Sequence, residues 1–246
     1  MKRTIVAAGL LAAAGPAAAQ EQWDYTASVF GWFSGLKSEV ATPFGSVEAE
    51  LDFSDVWESL NTAFFGSFEA RNGRWALITD LILADLSAEQ DIPPGASFNS
   101  AEVDTRLTLL SAYAAYSVVD DPGFRVDLGA GLRYADADLD VLLRGAAAPT
   151  TRLSLSDSWV DPLIGARMRY DLSNAWFANA AADVGGFGIG EASDLTWQAY
   201  AGVGYRFNDT WSMQAGYRYL YIDKSFDGPD VTLELYGPMI GLQASF

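Results

Sequence analysis

Residues 195–222 read LTWQAYAGVGYRFNDTWSMQAGYRYLYI, and apolar side chains alternate with polar or small ones along most of this segment. The odd-numbered positions from Leu195 to Phe207 are all apolar or aromatic, whereas the positions between them include threonine, glutamine, glycine and arginine. A period of two residues is typical of β-strands whose two faces meet different surroundings. Because a short connection at 208–210 separates two such runs, the segment predicts a hairpin of long antiparallel strands.

Other runs have the same two-faced pattern, and they lie at 124–134, 160–170, 176–184 and 211–221. In each run one face has no charge, and the charged residues lie on the other. An Arg or Lys that faces lipid near the bilayer midplane costs about 2 to 4 kcal/mol, so we expect the uncharged face to meet lipid and the charged face to line a lumen. Aromatic residues beside the short connections support this orientation. Beyond Tyr134 the outer face continues as Asp136, Asp138 and Asp140, which predicts that the strand leaves the membrane there.

The number of extended runs predicts the size of the barrel. Eleven can be counted, at 23–36, 44–51, 62–71, 75–86, 101–118, 124–134, 160–170, 176–184, 195–207, 211–221 and 231–246. The run at 44–51 is shorter than the roughly 9 to 11 residues of a tilted membrane-spanning strand, and bacterial barrels normally have an even number of strands. The sequence therefore predicts an all-β fold, an antiparallel up-and-down transmembrane β-barrel of ten strands, with twelve as the alternative. Apolar residues at helical spacing predict one short helix near 53–60.

The first 19 residues have the layout of an export signal. Two basic residues precede an apolar run, which ends in Gly15-Pro16 and three alanines. That run falls short of the roughly 20 residues that span a bilayer as a helix. We therefore predict a cleaved secretory signal peptide at 1–19 rather than a membrane anchor, followed by a single barrel domain at 20–246.

Composition excludes several classes of function. The 246-residue chain has 32 acidic and 15 basic residues, a formal net charge of −17, which argues against nucleic acid as a partner because its phosphates would be repelled. The chain has no Cys and no His, so disulfides, thiolate metal sites and His-dependent catalytic arrangements are excluded. We therefore predict that the protein is not an enzyme and has no catalytic residue, cofactor or metal.

Two blocks of sequence resemble known proteins. DLTWQAYAGVGYRFND at 194–209 and the run that follows it, with Phe246 at the chain end, resemble the C-terminal half of small Gram-negative outer-membrane β-barrel proteins of the OmpA, OmpX and OmpW type. FEARNGRW at 68–75 resembles a block of outer-membrane proteins of unassigned function. The resemblance implies location in the outer membrane of a Gram-negative bacterium and contact with its lipid and lipopolysaccharide. It also implies insertion by the barrel-assembly machinery, with Phe246 as the signal. We expect a monomer, and a soluble lipocalin-like barrel is the rival interpretation.

The inward face predicts a lumen charge network with similar numbers of acids and arginines. It comprises Glu69, Arg71, Asp80, Asp104, Arg106, Arg125, Asp127, Arg133, Asp161, Arg167, Arg169, Asp183, Arg206 and Arg218. Because an unpaired charge away from water is costly, we expect paired charges and a largely filled lumen, hence a structural or envelope-interaction role. The alternative is a small passive, porin-like channel for small solutes, in which the arginines would favour anions.

Overall fold

The computed structural model describes residues 23–42, 45–51, 60–91, 98–145, 150–225 and 230–246. Twelve strands account for most of these segments. They are β1 (Asp24–Trp32), β2 (Gly35–Thr42), β3 (Gly45–Leu51), β4 (Leu60–Asn72), β5 (Trp75–Asp91), β6 (Phe98–Asp121), β7 (Phe124–Gly145), β8 (Thr151–Asp171), β9 (Trp176–Gly186), β10 (Leu195–Arg206), β11 (Trp211–Ser225) and β12 (Asp230–Ser245). Within the described segments, no helix has the length and apolar character needed to cross a membrane.

The strands form one antiparallel sheet that closes on itself. From β4 to β12 each strand pairs with the next, and β1 pairs with both β4 and β12. β2 continues along β12 where β1 ends, because Trp32 lies opposite Met239 and Gly35 lies opposite Tyr236. β1 and β2 therefore act as one wall strand with a break at residues 33–34. Among the described strands, β3 pairs with β2 alone.

The wall consequently has ten strands, with β3 as one extra strand. This confirms the predicted all-β, antiparallel up-and-down barrel and its strand number. β3 occupies the run at 44–51 that was expected to be too short to span. The helix predicted near 53–60 lies outside the described residues, apart from Leu60, which begins β4. The leader at 1–19 also lies outside them.

The two ends of the barrel differ in their connections. At one end, which we call the turn end, short connections at 73–74, 122–123, 172–175 and 207–210 join neighbouring strands. Gly73 and Gly123 have φ of 54° and 79°, values that glycine adopts without the steric cost of a side chain. At the 207–210 turn, the side-chain oxygen of Asn208 accepts a hydrogen bond of 2.7 Å from the Trp211 amide. The opposite end, which we call the loop end, carries the connection at 187–194 between β9 and β10.

The faces of the wall exchange character partway towards the loop end. In β7, Leu132 keeps 55% of its surface exposed on the outside while Arg133 is buried in the lumen. Beyond Tyr134 the inward Ala135 is buried and the outward Asp138 accepts a hydrogen bond from a serine of β8. β6 has 24 residues, roughly 80 Å at 3.3 Å per residue, far more than the 9 or so needed to cross a bilayer. The wall from β5 to β8 therefore extends past the apolar band into a region whose outer face is polar.

Aromatic pairs border the apolar outer band. Near the turn end, the ring centroids of Trp75 and Tyr116 are 5.0 Å apart. The chain end joins this border, because the Phe246 amide and carbonyl exchange 2.9 Å hydrogen bonds with Tyr25. Towards the loop end, Trp197 stacks on Tyr219 with centroids 4.8 Å apart. Such belts are typical of the two interfaces of membrane barrels.

Candidate functional site

The lumen contains an apolar layer towards the loop end. Its buried members are Trp32, Ile82, Leu107, Leu109, Ala135, Trp159, Leu220, Ile222, Leu235 and Met239. These side chains come from β1, β5, β6, β7, β8, β11 and β12, that is, from seven of the ten wall strands. These side chains contact one another and form one apolar cluster inside the wall at this level.

A first charged cluster lies below this layer, nearer the turn end. Arg71 of β4 donates to Glu69 at 2.9 Å and to Asp127 of β7 at 2.6 Å. Arg167 of β8 reaches the same two carboxylates at 2.7 Å each. Ser117 donates to Asp127 at 2.5 Å and accepts from Arg71 at 2.9 Å. Each of the two arginines therefore pairs with both acids, and the four side chains form one network across the lumen.

A second cluster surrounds Arg133 of β7, whose side chain is only 1% exposed. Arg133 donates to Asp183 of β9 at 2.8 Å and to Thr196 of β10 at 2.8 Å. Asp183 also accepts from the Tyr113 hydroxyl at 2.9 Å and from the Gln198 amide at 2.5 Å. Donors from three other strands, β6, β7 and β10, therefore converge on Asp183.

A third pair joins nearly opposite walls, because Arg218 of β11 donates to Asp80 of β5 at 2.6 Å. Arg218 also donates to the side-chain oxygen of Gln198 at 2.5 Å, which links it to the second cluster. Together the three groups contain four arginines and four carboxylates, so their formal charges cancel. Cancellation matters here because each uncompensated ion away from water costs several kcal/mol.

Three further arginines of the predicted network, Arg125, Arg169 and Arg206, lie at the turn-end mouth. Arg125 pairs with Asp120 at 3.0 Å, and Arg206 pairs with Asp171. Arg169 is 3.7 Å from the same Asp171 carboxylate.

Asp161 of β8 lies directly opposite Arg133 of β7 in the sheet, but its hydrogen bonds are made with other groups. It is buried, and it accepts hydrogen bonds from the Ser193 amide at 2.7 Å and from the Trp159 indole at 3.1 Å. These bonds attach the connection between β9 and β10 to the wall. Asp161 therefore holds a loop, and no arginine among the described residues forms an ion pair with it.

Asp104 and Arg106 do not join the lumen groups. Arg106 is 63% exposed and pairs with Asp85 at 3.2 Å, and Asp104 accepts a hydrogen bond from Ser87. Both alternate with the buried Leu107, so they lie on the outer face of β6. They were expected in the lumen because charge was assigned to the inner face, but in the zone beyond the lipid band charge belongs on the outer face.

Several partners were missing from the prediction, namely Tyr113, Ser117, Asp120, Asp171, Thr196 and Gln198. All but Asp120 and Asp171 are uncharged. The alternation along the strands could have placed these uncharged residues in the lumen. Tyr113 and Ser117 lie an odd number of positions from the outward Tyr116, and Gln198 is next to the outward Trp197.

A cavity of about 690 Å³ occupies the turn-end half of the lumen. It reaches from Asp24 and Asp209 at the mouth to Arg218 and to Met239, which belongs to the apolar layer. Its wall is mixed, with arginines, acids and amides beside alanines and glycines. No group of acids with the spacing of a metal site occurs in the described part of the chain.

Comparison with known proteins identifies the architecture. No protein-family model and no curated protein sequence matches the chain. Among solved structures, the outer membrane protease OmpT from Escherichia coli superposes with a TM-score of 0.61 at 10% identity, covering 92% of this chain and 97% of that one. The translocator domain of the autotransporter NalP from Neisseria meningitidis has a TM-score of 0.44 at 16% identity, covering 90% and 88%. Neisserial surface protein A has a TM-score of 0.38 at 15% identity, covering 91% and 97%.

At these identities the first match shows the fold alone, and the TM-scores below 0.5 add nothing to it. The strand pairing of this chain independently shows a closed ten-stranded wall. The chain therefore has the fold of the small outer-membrane β-barrels, as the sequence resemblance implied.

Proposed function

We propose that the protein is an integral outer-membrane β-barrel with a structural or envelope-interaction role and a charge-paired lumen that is closed to ions. The observation that carries this proposal is the apolar layer, to which seven wall strands contribute buried side chains. An ion that crossed this layer would lose its water without gaining a polar partner, which is prohibitive in an apolar environment. The charge clusters below the layer add a second obstruction, because ion pairs such as Arg218–Asp80 connect distant walls.

The outer surface supports membrane location. Leu132, Ile164 and Leu77 each expose more than half of their surface on the outer wall. In water this band would be a large apolar patch, whereas in lipid it has its natural solvent. The turn end would then face the periplasm and the loop end the exterior. Outer-membrane lipid and lipopolysaccharide are the expected contacts, the barrel-assembly machinery would recognise Phe246, and the protein would be a monomer.

The first structural match is a protease, but the proposal for this chain is not enzymatic. The chain has no His and no Cys to act as base or nucleophile. The buried acids Asp127 and Asp183 form ion pairs with arginines, so their carboxylate oxygens are already occupied.

Planar-bilayer recording tests the closed lumen. The refolded protein is added to a lipid bilayer under voltages of both signs, with a known open porin as the positive control. We expect no reproducible current steps, because the apolar layer blocks hydrated ions. Stepwise currents that scale with protein concentration would contradict the proposal. They would favour the passive channel for small solutes instead.

Cell fractionation tests the location. The protein expressed with its leader should be found in the outer-membrane fraction and should need detergent for release. Recovery from the soluble periplasm without detergent would contradict membrane insertion and favour a lipocalin-like barrel.

A further inference from the structure

Three arginines crowd one side of the turn-end mouth. Arg125 of β7 and Arg169 of β8 lie directly opposite each other in the sheet, an arrangement in which like charges destabilise strand pairing. Arg206 of β10 lies near Arg169, because the guanidinium groups of both residues lie over the ring of Phe177 of β9. The guanidinium carbon of Arg169 is 3.8 Å from the Phe177 ring centroid and that of Arg206 is 5.0 Å from it.

Two carboxylates serve these three guanidinium groups. Asp120 pairs with Arg125, and Asp171 pairs with Arg206. Arg169 has only the 3.7 Å approach of its Nε to Asp171, and it makes no hydrogen bond with any other residue in the described segments. Its side chain is 39% exposed. These five side chains carry one positive charge in excess, and within the described part of the chain no acceptor forms a hydrogen bond with Arg169.

The fold holds Arg169 in this state. Phe177 is buried and lies across Gly204, where an added Cβ would be 2.1 Å from the ring. Only glycine at that position leaves room for the ring, and the ring in turn gives Arg169 a flat surface to stack on. A guanidinium stacked on its face keeps its edge free, and that edge is the fork that binds carboxylate or phosphate oxygens in pairs.

The cavity supplies the space for the rest of a ligand. Arg125 and Arg169 line it, and its volume of about 690 Å³ lies within the roughly 300 to 1,000 Å³ of small-molecule sites. Asp24 and Asp209 line the mouth as well. These acids disfavour polyanions, so the matching ligand has a single anionic group on a small polar or mixed body.

We propose that the turn-end half of the lumen is a binding site for a small organic anion, a carboxylate or a phosphate monoester, whose oxygens are held by Arg125 and Arg169. The site would be a blind pocket entered from the turn end. It adds a ligand to the proposed closed barrel, but it does not require closure, so the bilayer recording and the binding measurement fail independently.

Isothermal titration of the refolded barrel in detergent micelles at low salt tests the site. Lactate, which carries one carboxylate on a small polar body, serves as the carboxylate probe, and glycerol 3-phosphate serves as the phosphate probe. At least one should bind saturably with one site per barrel, and the probe that binds assigns the anionic group. Arg169→Gln should weaken binding about tenfold or more, since a charge-assisted pair is lost.

Arg74→Gln is the matched control. Arg74 lies in the turn at 73–74, at the same end of the barrel, and its exposed side chain does not line the cavity. Binding to this variant should stay within about twofold of the original. If Arg169→Gln does not refold, Arg125→Gln replaces it, because Arg125 lines the same cavity and its loss also removes the like-charge pair with Arg169.

Three results would overturn the proposal. One is the absence of saturable binding for both probes up to about 10 mM, where even a millimolar site would be mostly occupied. Another is equal affinity in the original protein and in Arg169→Gln. The third is an equal loss in Arg74→Gln, which would mean general attraction to the periplasmic rim.

Discussion

Asp183→Ala removes the acceptor on which the second lumen cluster converges. Asp183 accepts from Arg133 at 2.8 Å, from the Tyr113 hydroxyl at 2.9 Å and from Gln198 at 2.5 Å. Without it, Arg133 keeps its bonds to Thr196 and to a serine hydroxyl but loses its countercharge.

The size of the effect follows from burial. The Arg133 side chain is 1% exposed and that of Asp183 is 7% exposed, so water cannot replace the missing carboxylate. Removing one partner of a buried ion pair costs about 3 to 5 kcal/mol. Replacing both partners with apolar side chains is often close to neutral. We therefore expect Asp183→Ala to lower the free energy of unfolding by about 3 to 5 kcal/mol, and Arg133→Met to recover most of that loss in the double variant.

Urea unfolding of the barrel in lipid vesicles, followed by tryptophan fluorescence, measures these differences. The four proteins of the double-mutant cycle are compared with Arg106→Ala as the control. Arg106 forms an exposed pair with Asp85, and such pairs contribute about 1 kcal/mol or less. A loss below about 1 kcal/mol in Asp183→Ala, or a double variant as unstable as the sum of the single changes, would refute the claim that the lumen depends on charge compensation.

Further expectations concern the outer wall, a close contact in the lumen and the loop end. Val203→Arg should lower the free energy of unfolding in lipid by about 2 to 4 kcal/mol, because Val203 faces the bilayer. Asp138→Arg, which lies beyond the apolar band, should change it by less than about 1 kcal/mol. Equal effects of the two substitutions would contradict the assigned edge of the lipid band. Gly204→Val should cost about 1 to 3 kcal/mol in urea unfolding, because its Cβ would overlap Phe177, and an unchanged transition would exclude that packing. Burial and two neighbouring aspartates raise the pKa of Asp223, so its ionised form opposes folding. Asp223→Asn should therefore raise the melting temperature at pH 7.5 and leave it unchanged at a pH well below that pKa. A gain of equal size at both pH values would contradict this cause.

Strand parity explains what could be predicted about the candidate site. Successive side chains of a strand point to opposite faces, so the alternation around Arg133, Arg167 and Arg218 already placed these residues on the inner wall. Which acid meets which arginine could not be predicted in the same way. Glu69 and Arg167 are 98 residues apart in the chain, and Asp80 and Arg218 are 138 apart. Their contact depends on the register of every strand between them and on the curvature of the closed wall.

The sequence by itself determined the all-β barrel, favoured ten wall strands over twelve and indicated which side faces lipid, because a two-residue period and the cost of charge in lipid act locally along each strand. Only the tertiary structure decided that Asp104 and Arg106 lie outside. The charged face of a strand is the inner one within the lipid band and the outer one beyond it, and the alternation alone does not show where that band ends. The tertiary structure also decided that apolar side chains from seven strands meet in the lumen and that Arg169 lacks a full partner. These features depend on distances across the barrel, and a linear pattern does not contain such distances.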